Sequence, residues 1–157
     1  MTASPTEGAA APDFSLPVDG GGTISLAALK GRNAVLYFYP KADTPGCTKE
    51  SMDFSRLKPE FERANTAVIG VSADAVAAQD KFKAKYELTV PLASDPDRVM
   101  IERYGVWGEK SMYGKTFMGI KRATFLIDGK GVIRHQHIGD IKAEDIPLIL
   151  QKLREAR

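Results

Sequence analysis

Two apolar runs constrain this chain more than any other feature. Asn33 to Tyr39 reads NAVLYFY, and Thr66 to Val71 reads TAVIGV. Both are continuous rather than alternating. Runs of this kind, rich in β-branched and aromatic residues, predict strands covered on both faces, as strands are in parallel sheets. Between them, Pro45 to Glu62 carries Phe54, Leu57 and Phe61 at spacings of three and four. That predicts a helix with one apolar stripe, kinked or cut short at Pro59. Strand, helix and strand in this order form a parallel unit with a right-handed crossover.

The flanking segments extend the pattern. Phe14 to Leu16 and Thr23 to Leu26 bracket Asp19-Gly-Gly-Gly22, which predicts an N-terminal β-hairpin. Leu26 to Leu29 suggests a brief helical turn, stopped by Gly31. Ala75 to Tyr86 reads as a helix capped by Ser72 or Asp74, and Val90 to Ala93 as a short strand. Asp95 to Tyr104 is expected to be a helix with Asp95 as cap and Pro96 at its first position. Gly105 to Gly119 is glycine-rich without clear periodicity and is expected to be a loop. Ala123 to Ile127 and Val132 to Ile138 are predicted strands joined at Asp128-Gly-Lys-Gly131, a turn signal. Ala143 to Arg154 reads as a closing helix with Ile146, Leu148, Ile149 and Leu153 on its apolar side. The expected architecture is a central mixed β-sheet flanked by helices in one α/β domain over residues 10–157, after a flexible tail at 1–9.

Composition excludes several function classes. Twenty-two basic residues against 20 acidic leave a net charge of +2. No basic run with interleaved aromatics appears, so a nucleic-acid partner is not expected. No stretch approaches the apolar length of a membrane helix, and Met1 to Pro12 lacks the pattern of a secretory signal. One cysteine cannot form an internal disulfide. A cytoplasmic protein is the expectation.

That one cysteine, Cys47, falls where a buried strand ends and a helix begins, the edge of an α/β sheet where ligands bind. Thr44 suits the N-cap and Pro45 the first helical position, placing Cys47 third. Unpaired amides and the helix dipole favour an anion there, so the position favours the nucleophilic thiolate. Gly46 leaves the approach to the sulfur open. A buried, inert cysteine is the bland alternative, but Pro40 to Lys49 offers no other bulky apolar residue to bury it with. His135 and His137 share one face of a predicted strand. As a catalytic base or as metal ligands they are weakly supported, and no metal or cofactor is expected. Without a second thiol, dithiol exchange is unavailable within the chain. Oxidation by peroxide asks for less: a thiolate, a donor for the peroxide oxygens and a small pocket.

Three stretches carry a resemblance to the peroxiredoxins, within them the bacterioferritin comigratory protein group, also called PrxQ. Pro40 to Cys47, PKADTPGC, matches the family's Pro-x-x-x-Thr-x-x-Cys motif. Lys110 to Arg122 resembles the segment that ends in the family's active-site arginine, and Arg122 to Asp128 the strand after it. The opening Ala11-Pro-Asp-Phe14 also fits. The resemblance implies a thioredoxin-like fold and reduction of hydrogen peroxide and organic hydroperoxides. It gives Cys47 the role of peroxidatic cysteine and Thr44 that of a hydroxyl contacting thiolate and peroxide. Arg122 would favour the thiolate and polarise the peroxide. Pro40 would shield the pocket, and Glu50 would orient the arginine.

The chain departs from the group at the second cysteine. Many members carry it five residues after the first, where this chain has Met52, and others on the next helix, where Ala73 to Lys85 has none. The resemblance is therefore to a one-cysteine member, recycled by an external thiol such as thioredoxin, glutaredoxin or glutathione. A monomer with the activity of a thioredoxin-dependent peroxidase is expected. Two other readings use the same residues differently: a redox sensor that reacts once without turnover, and an interaction module that has lost its chemistry.

Overall fold

A computed structural model describes residues 5–139 and 151 of the 157. The side chain of Met112 and most of the expected helix at Ala143 to Arg154 lie outside the described residues. Of the expected tail, Gly8 donates to the Ile133 carbonyl at 2.7 Å, and the Ala9 carbonyl accepts from the Ile133 amide at 2.9 Å.

Both apolar runs are strands. β3 (Asn33–Phe38) and β4 (Thr66–Ser72) run parallel, with Leu36 opposite Ile69. β5 (Leu92–Ser94) continues the parallel part beside β4. On the other side of β3, β8 (Ala123–Ile127) and β9 (Ile133–Ile138) are antiparallel. The sheet order is β5-β4-β3-β8-β9, a mixed sheet. A separate hairpin precedes it, β1 (Ser15–Pro17) with β2 (Thr23–Ser25).

Alternation along β3 divides the core in two. Ala34, Leu36 and Phe38 face one cluster, with Met100, Ile101, Tyr104 and Phe125. Val35, Tyr37 and Tyr39 face the other, with Phe54, Phe61, Phe82 and Cys47. The second face is covered by α1 (Pro45–Arg63) and α2 (Val76–Tyr86).

Four expectations need correction. α1 does not stop at Pro59 but runs to Arg63. Proline frees the carbonyl four residues back, and that carbonyl, on Ser55, accepts from the Thr89 hydroxyl at 3.2 Å. Neither Ser72 nor Asp74 caps α2. Its N-cap position is Ala75, without a side-chain cap, and the two polar side chains bond each other and the loop after β3. α3 is short (Val99–Arg103), because Arg98 takes a left-handed conformation just before it. Asp95 still accepts from helix amides, those of Val99 at 3.1 Å and Ile101 at 2.8 Å.

Gly105 to Gly119 is not a loop. β6 (Trp107–Met112) and β7 (Lys115–Ile120) form an antiparallel ribbon. Tyr113 and Gly114 turn it, both with positive φ, at 52° and 76°, the backbone sign of a type I′ hairpin turn. The ribbon stands outside the main sheet, so its side chains lack the in–out alternation by which a strand is read.

Candidate active site

The site forms at the carboxyl end of β3. Tyr39 extends that strand by donating to the Val71 carbonyl at 3.0 Å. The half-buried Pro40 then turns the chain into the loop that leads to α1. Cys47 is the third residue of that helix and is wholly buried. Tyr37, Tyr39 and Phe54 belong to the same cluster, and the Tyr37 ring stacks on Phe54 at 4.6 Å between centroids.

Arg122 reaches this thiol through the topology. Phe38, the last residue of β3, pairs with Ala123, the first of β8. Arg122 therefore arrives level with the residues that follow β3, although 75 positions separate it from Cys47. Its backbone is pinned nearby: Lys121 donates to the Val106 carbonyl and Gly139 to that of Arg122, both at 2.7 Å. Its Nη2 lies 3.3 Å from Cys47 Sγ, and its Nη1 donates to Glu50 Oε1 at 3.0 Å. Glu50 is buried on α1, one turn after the cysteine. Burial of the guanidinium works against its charge, but the charges and hydrogen bonds of Glu50 and Cys47 outweigh it and raise its pKa further. Arg122 is a fixed cation between a carboxylate and a sulfur. Gly46 makes room for it, since a Cβ there would sit 3.2 Å from Nη2.

Thr44 occupies the N-cap position with extended backbone angles, but its side chain makes no cap hydrogen bond. Its hydroxyl donates instead to the Lys41 carbonyl at 2.8 Å. The proton is thereby committed, and the oxygen's lone pairs remain to accept.

The AhpC/TSA family model matches residues 8–136. The chain is 49% identical to the putative peroxiredoxin bcp of Coxiella burnetii over 126 residues, 80% of this chain and 83% of the relative. It is 43% identical to peroxiredoxin Bcp of Escherichia coli (strain K12) over 125 residues, 80% of each. This chain is a peroxiredoxin of the AhpC/TSA family. Its structure superposes on Xanthomonas campestris peroxiredoxin Q with a TM-score of 0.82, at 39% identity and over 90% of each chain. Its fold is the thioredoxin-like one of those relatives, and its activity is that of a thiol peroxidase.

In this peroxiredoxin the histidines stand elsewhere. His135 Nδ1 lies 3.3 Å from Glu7 Oε1, and His137 pairs with Thr124 across β8 and β9. Among the described residues, no group of three or more His, Cys, Asp or Glu side chains could hold a metal ion. Nor is any helix among them long and apolar enough to cross a membrane. Met52 is about half exposed on α1 and lines a cavity of about 350 Å³ with Pro45, Thr48 and Tyr86.

Two neighbours of the thiol were not legible as site residues. Tyr37 and Tyr39 look like ordinary strand aromatics until alternation puts them on the cysteine's side of β3. Burial, first of all, raises both phenol pKa values, so both remain neutral. The Tyr37 hydroxyl donates to Ser51 Oγ at 3.0 Å. Gly70 is the residue that admits Tyr37, because a Cβ there would come within 2.7 Å of its ring.

Proposed function

We propose that Cys47 is the peroxidatic cysteine of this enzyme, assisted by Arg122 and Thr44. The observation that carries this reading is the contact between Cys47 Sγ and an arginine braced by buried Glu50. A guanidinium beside sulfur favours the thiolate. Its planar fork of donors also suits a peroxide oxygen on which negative charge develops. Thr44, whose own proton is donated to the Lys41 carbonyl, would accept from the peroxide O–H and so hold that terminal oxygen towards sulfur. Pro40 and the buried aromatics limit the water around the sulfur.

The reaction is a two-electron displacement. The thiolate attacks the terminal oxygen of ROOH, an S–O bond forms and the O–O bond breaks. The leaving RO⁻ takes a proton from solvent to become ROH, and Cys47 becomes a sulfenic acid. Cys47 is the chain's one cysteine, so an external thiol must complete the cycle. It displaces water from the sulfenic acid to give a mixed disulfide, and a second thiol releases Cys47 as the free thiol. Thioredoxin, glutaredoxin and glutathione are the proposed reductants, and a compartment holding such thiols reduced, the cytoplasm, is the proposed setting.

Intact-mass measurement after peroxide treatment tests the cycle. Without a thiol, Cys47 should gain one, then two and three oxygens. With a thiol added first, the higher oxides should be suppressed and peroxide consumed continuously. A one-oxygen adduct inert towards all three reductants would replace the peroxidase cycle with a single-use sensor.

A further inference from the structure

We infer that Asp74 is a positioning residue for the peroxidase reaction, acting on Thr44 through one peptide plane. The inference rests on the proposed role of the Thr44 hydroxyl. That hydroxyl is anchored on the Lys41 carbonyl at 2.8 Å. The Ala42 amide belongs to the same peptide unit and donates to Asp74 Oδ2 at 2.8 Å. A peptide unit is planar, and in the trans form its C=O and N–H point in opposite directions. Fixing the N–H therefore fixes the direction of the C=O. If this peptide rotates, the Lys41 oxygen swings away from Thr44, and the hydroxyl loses the anchor that orients its lone pairs.

Asp74 is built to hold that plane. The same Oδ2 accepts from the Ser72 hydroxyl at 2.6 Å, and the Asp74 amide donates back to Ser72 Oγ at 3.2 Å. Gln79 Nε2 donates to Ser72 Oγ at 2.9 Å and to the Ala93 carbonyl at 3.0 Å. Its Oε1 accepts from the hydroxyl of Tyr39, next to Pro40. The carboxylate thus stands on a braced, largely buried network rooted in β4 and β5. The far end of the loop is held independently, where Asp43 accepts from Tyr86 and Lys85. Asp43 itself has a φ of 60°, so the loop is not in a relaxed extended form that would keep its shape unaided. Asp74 does not cap α2, and its carboxylate is spent on the loop instead.

The test is a double-mutant cycle on the second-order rate of Cys47 oxidation by hydrogen peroxide. Thr44→Val alone should be slow, which checks the Thr44 reading by itself. Asp74→Ala should slow oxidation roughly tenfold, within the roughly hundredfold that misplacing a catalytic group by about 1 Å can cost. In the Thr44→Val background, Asp74→Ala should cost less than about twofold, because the group it positions is gone. Asp74→Asn keeps an acceptor oxygen for Ala42 and should stay within about threefold of wild type. A wild-type rate for Asp74→Ala, or a full loss persisting in the Thr44→Val background, overturns the proposal alone. Asp74→Asn as slow as Asp74→Ala also overturns it, by assigning the effect to charge. A wild-type rate for Thr44→Val overturns the Thr44 reading, and the role of Asp74 with it. If Asp74→Ala does not fold, Asp74→Ser, whose side chain is too short to reach the Ala42 amide, is read in the same way.

Discussion

At the scale of single residues, the site depends on where a few atoms sit rather than on bulk burial. Arg122 holds sulfur and carboxylate with different nitrogens, Nη2 and Nη1. Lysine keeps the charge but cannot reproduce that fork. Arg122→Lys should therefore slow peroxide reduction at least tenfold while its Tm stays near that of the wild type, read by peroxide consumption and thermal melts. Equal rates would reduce the residue to a neutralising charge. Gly46 offers a test of how tightly the guanidinium is held. A Cβ at this position would press on Nη2 from 3.2 Å. Gly46→Ala should therefore lower the oxidation rate, read by peroxide consumption; a wild-type rate would mean that the guanidinium has slack. The proposed roles of Cys47, Thr44 and Arg122 could be put forward from the sequence because each position lies at a helix start or in a motif of the resemblance. Asp74 was read only as a cap, a role it does not play. Its partner, Ala42, lies 32 positions away, and no local pattern announces a contact made across two loops.

At the scale of elements, continuous apolar runs identified β3 and β4 because burial on both faces leaves only apolar choices. The β6–β7 ribbon went unread for the converse reason. Its residues Lys115 to Phe117 are exposed, and Tyr113-Gly114 is a weaker turn signal than Asn-Gly or Asp-Gly. The turn between β8 and β9 was legible, and its carboxylate makes it sensitive to acid. Burial opposes ionisation of Asp128, but hydrogen bonds from the Val132 and Lys130 amides and the pair with Arg134 outweigh it, so its pKa lies below the ordinary 3.8. A depressed carboxylate contributes stability above its unfolded value and loses it as pH falls through the folded one. Asp128→Asn should therefore melt lower than wild type at pH 7, with the two curves converging as pH drops below about 3.8. A constant gap across that window would assign the loss to shape rather than charge.

At the scale of the whole molecule, the architecture encloses the thiol proposed as its nucleophile. Cys47 has no exposed surface, so reagent size should govern its reactivity. A small methylating disulfide reagent should modify the native thiol far faster than a polymer-linked maleimide, and the two should converge in denaturing urea. Similar native rates would mean that the first turn of α1 opens freely. Expected and observed architectures agree on a mixed sheet, and the structure puts β3 in its middle, flanked by β4 on one side and β8 on the other. That arrangement sets a timetable for biosynthesis. A ribosome delivers the thiol early and the guanidinium 75 residues later. Until β8 emerges and docks, the central strand has an open hydrogen-bonding edge, the kind of surface that recruits other chains. A chain ending before Arg122 would lack that residue's contact with sulfur and keep that edge unpaired. The pairing of Ala123–Ile127 with Asn33–Phe38 both closes that edge and brings Arg122 to the sulfur.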